Sequence, residues 1–131
     1  MNETDKADFL NAIEAASREA ARIAEEHGFK ENSVGEDIAL MHSELSEALE
    51  DYRAGKPANQ MLYETPTGMH VQHSDFQGTI YKPVGLPSEL ADVVIRIMHF
   101  SHRHGIDLGK AIIEKMAFNE TRPFKHGNKV I

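Results

Sequence analysis

Ile38-Ala-Leu-Met-His-Ser-Glu44-Leu-Ser-Glu47-Ala-Leu-Glu50-Asp51-Tyr52-Arg53 reads as one amphipathic helix. Its apolar stripe is Ile38, Met41, Leu45, Ala48, Leu49 and Tyr52, and its acidic residues fall to one side of that stripe. Glu44 and Glu47 share a face, because residues three apart on a helix hold their Cβ atoms roughly 5–6 Å apart. Two carboxylates so placed can reach one cation together and repel each other without it. Glu89-Leu-Ala-Asp92-Val-Val-Ile-Arg-Ile repeats the device at the same spacing. Two acidic pairs beside two apolar stripes predict two helices packed face to face, with Glu44, Glu47, Glu89 and Asp92 converging on a hard divalent cation that prefers oxygen ligands.

Working outward, Thr4 to Glu26 predicts the first helix, with Thr4 or Asp5 as its N-cap and Phe9, Leu10, Ile13, Ala16, Ala20, Ile23 and Ala24 at helical spacing. Gly28 is placed to end it in the left-handed conformation. Ser33 with Glu36 forms a capping-box signature for the second helix, which Gly55-Lys56-Pro57 stops. Ser88 is the expected N-cap of a third helix reaching about His104, and Asp107 of a fourth reaching about Asn119 before Arg122-Pro123. The tail from Phe124 to Ile131 is basic.

Between the second and third helices, residues 56–87 carry Pro57, Pro66, Gly68, Gly78, Pro83, Gly85 and Pro87, which break any helical pattern. Short strand-like runs occur at Met61-Leu-Tyr63 and Thr79-Ile-Tyr81, and Thr65–Gly68 suits a hairpin turn. A long connection of this kind is expected to act as a lid or an interface arm. The expected fold is all-α: a four-helix, bundle-like single domain over residues 1–131 with a long loop or hairpin between helices 2 and 3. A chain of this length buries roughly two thirds of its unfolded surface. With four helices and one long crossover, assembly into an oligomer is expected.

A formal net charge of −7 argues against a broad basic surface for polymeric nucleic acid, yet leaves room for a metal-bound phosphate. The absence of Cys excludes disulfides, thiolate metal sites and cysteine nucleophiles. No apolar run approaches the roughly 20 residues of a membrane span, and the N-terminus lacks a secretory pattern. The expectation is a soluble cytoplasmic protein without membrane partners.

Acidic pairs at this spacing are common on ordinary solvated helices. The second pair changes the balance, because Glu89 and Asp92 flank Leu90, Val93 and Val94 at the border of the core stripe, where unpaired carboxylates are costly. All-oxygen ligation favours Mg²⁺, with Mn²⁺ as substitute, over zinc. A ferritin-like di-iron centre needs Glu-x-x-His, and no His here has a Glu three residues before it. His99, His102 and His104 are read as a polar helix end. Lys115 and Asn119, four apart, precede Arg122, Lys125 and Lys129. As a helix-end basic cluster they complement the dipole; beside a metal centre they supply a point charge, an amide and a forked donor suited to a polyphosphate. No P-loop or dinucleotide-binding glycine pattern is present.

In order, Ser43-Glu44-Leu-Ser-Glu47-Ala-Leu-Glu50, Glu89-Leu-Ala-Asp92-Val and Lys115-Met-Ala-Phe-Asn119-Glu-Thr-Arg122-Pro-Phe-Lys-His126-Gly127-Asn-Lys129 resemble the MazG-like nucleoside triphosphate pyrophosphohydrolases of the all-α NTP pyrophosphatase superfamily. Ser43 stands where the family's usual Glu-Glu-x-x-Glu motif has its first acid, and Glu50 adds a carboxylate one turn on. The resemblance implies Mg²⁺-dependent hydrolysis of a (deoxy)nucleoside triphosphate between the α and β phosphates. It implies Glu44, Glu47, Glu89 and Asp92 as metal ligands and Lys115, Asn119 and Arg122 on the phosphates or sugar; Glu44 and Glu47 are the expected catalytic carboxylates, and Glu47 is the one expected to take the proton of the attacking water. It also implies homodimers or homotetramers, with Phe9 a candidate for stacking on the base or for the core. The alternatives are a non-catalytic helical interaction domain, or the same site acting on an alarmone or modified nucleotide.

Overall fold

The computed structural model describes residues 1–29, 31–128 and 130; Lys129 of the basic tail lies outside them. In chain order the elements are α1 (Glu3–Glu26), α2 (Val34–Arg53), β1 (Leu62–Glu64), β2 (His70–Val71), β3 (Asp75–Phe76), β4 (Thr79–Ile80), β5 (Lys82–Val84), α3 (Leu86–Arg103), α4 (Leu108–Glu120) and the single turn α5 (Lys125–Asn128). Among the described residues, four substantial helices are present, as the periodicity predicts. The fold is mostly helical rather than purely all-α, because the connection between α2 and α3 folds into small antiparallel sheets. Among the described residues, no helix is long and apolar enough to cross a membrane.

The chain forms two compact units: residues 1–28 with 98–131, and residues 29–97. In the first, α1 packs on α4. Its cap is Asn2 rather than Thr4 or Asp5: the Asn2 side chain accepts the Asp5 amide hydrogen at 2.7 Å, which places Glu3 and Asp5 in the first turn beside the positive helix end. Gly28 ends α1 at φ +68°. Asp107 caps α4 as expected, accepting from the Lys110 amide at 3.1 Å. Gly109 is buried on α4 against Leu10 and Ile13 of α1; a Cβ there would stand 3.0 Å from Leu10 Cδ2, so its missing side chain is what allows the close approach.

In the second unit, Ser33 and Glu36 make the predicted capping box at the start of α2: the Glu36 amide donates to Ser33 Oγ and the Ser33 amide to Glu36 Oε2. The 56–87 connection forms a three-stranded sheet in the order β2-β1-β5, with Tyr63 opposite both Val71 and Pro83, and a separate β3-β4 hairpin. The Thr65–Gly68 turn joins β1 to β2, the Gly68 amide donating to the Thr65 carbonyl at 2.9 Å. Gln77 and Gly78, both at positive φ, make the two-residue turn between β3 and β4 that suits the twist of a hairpin. Pro83 sits on the edge strand β5, the kind of strand in which proline is tolerated.

α3 starts at Leu86, two residues before the expected Ser88 cap. Pro87 carries a φ already suited to a first helical turn, and the Glu89 amide donates to the Gly85 carbonyl, while Ser88 Oγ donates instead to the Pro83 carbonyl at 3.1 Å. Buried side chains are few and small: Ser17, Ala20, Ala24, Ala48 and Ser101, with Tyr81 against His73. Much of the α2 stripe stays open, Leu49 being 57% and Tyr52 62% exposed, and so does Val94 on α3.

Candidate metal centre

The acidic pair on α2 points its members the same way because three residues advance a helix by a little less than one turn. Glu89 opens the corresponding row on α3. In the folded chain Glu44, Glu47 and Glu89 each offer one carboxylate oxygen, and these oxygens all lie within 4.8 Å of one another. Asp92 stands one turn beyond Glu89 and is not a member of that close group, although its charge acts on Glu89 and the charge of Glu44 acts on it. Three of the four predicted carboxylates are therefore brought together, from two helices.

Arg96, a further turn along α3, enters the same face. Its Nε donates to Glu44 Oε1 at 2.7 Å, and the Glu44 side chain retains 12% exposure. Arg96 is not among the site residues expected from the acidic spacing. A signal was there: Arg96 follows Asp92 by four positions, which puts a cation on the acidic face of α3.

Without a cation the carboxylates divide unequally. Glu89 is pushed up to about 7, first by loss of water around it, then by its hydrogen bond and charge contact with Glu47, the charge of Asp92 and a hydrogen bond with Glu44. Asp92 is also raised, by desolvation and the Glu44 charge, with Arg96 and Lys82 opposing. Partial burial pushes Glu44 up too, but the Arg96 hydrogen bond, aided by the Glu47 and Glu89 hydrogen bonds and the Arg96 charge, takes it below its ordinary value. Below about 7 a proton on Glu89, hydrogen-bonded with Glu47 and Glu44, lowers the repulsion within the cluster. A hard dication can take that proton's place.

The donors are carboxylate oxygens throughout, the ligand type of Mg²⁺ and Mn²⁺, and the chain has no thiol. Among the described residues no histidine joins a group of potential ligands. His104 lies against Phe100 with ring centroids 4.3 Å apart, and His102 borders a cleft with Ser17 and Asp107.

Lys115, Asn119 and Arg122 belong to the other unit. Lys115 and Arg122 both approach the Phe118 ring, at 5.6 and 5.8 Å from its centroid. Asn119 borders a cleft with Lys6, Ile113 and Met116. Phe9 is half-buried on α1.

No protein-family model matches the chain, and no curated protein or solved structure matches it.

Proposed function

We propose that the protein is a Mg²⁺-dependent (deoxy)nucleoside triphosphate pyrophosphohydrolase of the MazG-like kind. The observation that carries this reading is the convergence of Glu44, Glu47 and Glu89 from two helices, one carboxylate oxygen of each lying within 4.8 Å of the others, with Glu89 pushed up to about 7 by loss of water and then by its acidic neighbours. Acids drawn together and partly stripped of water in this way are better suited to a cation than to solvent.

Mg²⁺, with Mn²⁺ as its substitute, would be held by Glu44, Glu47 and Glu89, with Asp92 adjoining them. When bound, it supplies neutralisation of the triphosphate and acidification of an attacking water. Glu47, which is exposed, would accept the proton of the attacking water as the water oxygen bonds to the α phosphorus and the bond from that phosphorus to the α–β bridging oxygen breaks, releasing pyrophosphate. Glu44, half-buried and tied to Arg96, keeps its place during the step. In this reading Lys115, Asn119 and Arg122 contact the phosphates or sugar, for which a point charge, an amide and a fork of donors are suitable groups.

The chain works as a homodimer or homotetramer in the same reading. Support comes from the open apolar side chains of α2, Ile38, Leu45, Leu49 and Tyr52, which water covers at a cost. Sedimentation equilibrium giving the mass of one chain would refute the assembly.

Phosphorus NMR of the protein with Mg²⁺ and each common ribo- and deoxyribonucleoside triphosphate tests the activity. Monophosphate plus pyrophosphate is the expected outcome. Diphosphate plus orthophosphate, or no turnover of any triphosphate, overturns it.

A further inference from the structure

We propose that Arg96 is a positioning residue of the carboxylate centre: its guanidinium holds Glu44 in the ligating orientation, so that an arriving cation meets a prearranged ligand. The inference rests on the metal-centre reading above.

Arg96 and Glu89 lie seven positions, or two turns, apart on α3 and share its acidic face. A charge-assisted bond of 2.7 Å from Nε is short and directional. It engages one oxygen of a carboxylate that has two, and Glu44 needs to offer only one to the cluster. Glu47, by contrast, is exposed, so Glu44 is the ligand around which the other two can arrange themselves.

Two effects of Arg96 on a bound dication oppose each other. Its positive charge repels the metal, and its hold on Glu44 removes the cost of ordering a ligand. Four neighbouring carboxylates already exceed the charge of one dication, so negative charge is not what the centre lacks. Order is, and the positioning effect therefore prevails. Partners that orient metal ligands are typically worth about 10–100-fold in metal affinity.

Mn²⁺ binding to the full chain, followed by the EPR signal of the free ion, tests this with the metal alone. Circular dichroism verifies the fold of each variant. Arg96→Met is expected to weaken Mn²⁺ binding about 10–100-fold, with Arg96→Lys between it and the wild type. In a Glu44→Gln background, Arg96→Met should change affinity by less than about threefold, because the two residues act as one unit. Unchanged or tighter binding by Arg96→Met overturns the inference and leaves Arg96 a mere counter-ion; so does an equal loss in the Glu44→Gln background. Should Arg96→Met fail to fold, Arg96→Lys decides alone: weaker binding than wild type upholds the inference, and equal or tighter binding overturns it. Wild-type protein that takes up no Mn²⁺ overturns the metal centre itself, and this inference with it.

Discussion

Arg96 on α3 and Glu44 on α2 stand 52 positions apart in the chain and are joined by a 2.7 Å hydrogen bond, Nε donating to Oε1. That bond divides the acidic cluster electrostatically. Glu44 is held below its ordinary value by its partner, while Glu89, partly stripped of water and crowded by Glu47 and Asp92, is pushed up to about 7. The cluster is thus in tension when no cation is present, and its responses to metal, to pH and to single substitutions follow from that tension.

Mg²⁺ should stabilise the folded chain. Binding to the native state alone adds RT ln(1 + [L]/Kd), about 2.7 kcal/mol at one hundred times Kd, which raises the melting temperature by several degrees. Differential scanning fluorimetry with EDTA and then with millimolar Mg²⁺ measures it. A melting curve that does not move removes the basis for convergent ligation, and Glu89→Gln should lose most of the increment.

Glu47→Gln should abolish triphosphate hydrolysis while leaving the fold intact. The side chain is exposed on α2, so replacing a carboxylate with its isosteric amide disturbs no packing. Loss of a general base typically costs about 10²–10⁴-fold in rate. Turnover by the wild type that persists undiminished in Glu47→Gln would take the proton-accepting role from this residue.

In the metal-free protein, stability should fall as pH rises across the window between 4.5 and about 7. Glu89 is protonated in both folded and unfolded chains below the lower value. Between the two, the unfolded chain ionises and the folded one keeps its proton, so each rise in pH favours unfolding until the folded group ionises too. Glu44, whose folded value is lowered, contributes in the opposite sense and loses its contribution only at more acidic pH. Melting temperatures in EDTA from pH 5 to pH 8 should therefore decline for the wild type and decline less for Glu89→Gln. Parallel slopes for the two proteins would show that Glu89 is not the group responsible.

Gly109 should tolerate Ala and reject Leu. An alanine Cβ would meet the flexible tip of Leu10 at 3.0 Å, a contact that a small rotation relieves, and Ala gains about 0.8–1.0 kcal/mol of helix propensity over Gly. Leu10 Cα and Ile13 Cβ already stand 3.6 and 3.7 Å from that Cβ, which leaves no room for the longer leucine side chain, and overpacking of this kind costs about 1–3 kcal/mol. Urea denaturation of the two variants should give a near-neutral midpoint for the first and a clear loss for the second.

What the sequence by itself determined was local. The Ser33–Glu36 capping box, the Asp107 cap, the Gly28 stop and the common face of Glu44 and Glu47 all depend on contacts within one helical turn, and a turn is short enough to be read from spacing. The Thr65–Gly68 hairpin was legible for the same reason. Even local signals could be outcompeted: Asn2 displaced Thr4 and Asp5 as the α1 cap, and the Gly85-Leu86-Pro87 segment began α3 before Ser88 could cap it.

Only the tertiary structure decided which carboxylates meet. Spacing made Glu89 and Asp92 equivalent candidates, but the rotation of α3 relative to α2 brings Glu89 within the close group and leaves Asp92 a turn beyond it. The same rotation lays Arg96 against Glu44. The β1–β5 pairing, which sets Tyr63 opposite Pro83, likewise joins positions far along the chain. Such pairings are set by where whole elements come to rest, a balance of burial and charge over many residues that no periodicity within one segment encodes.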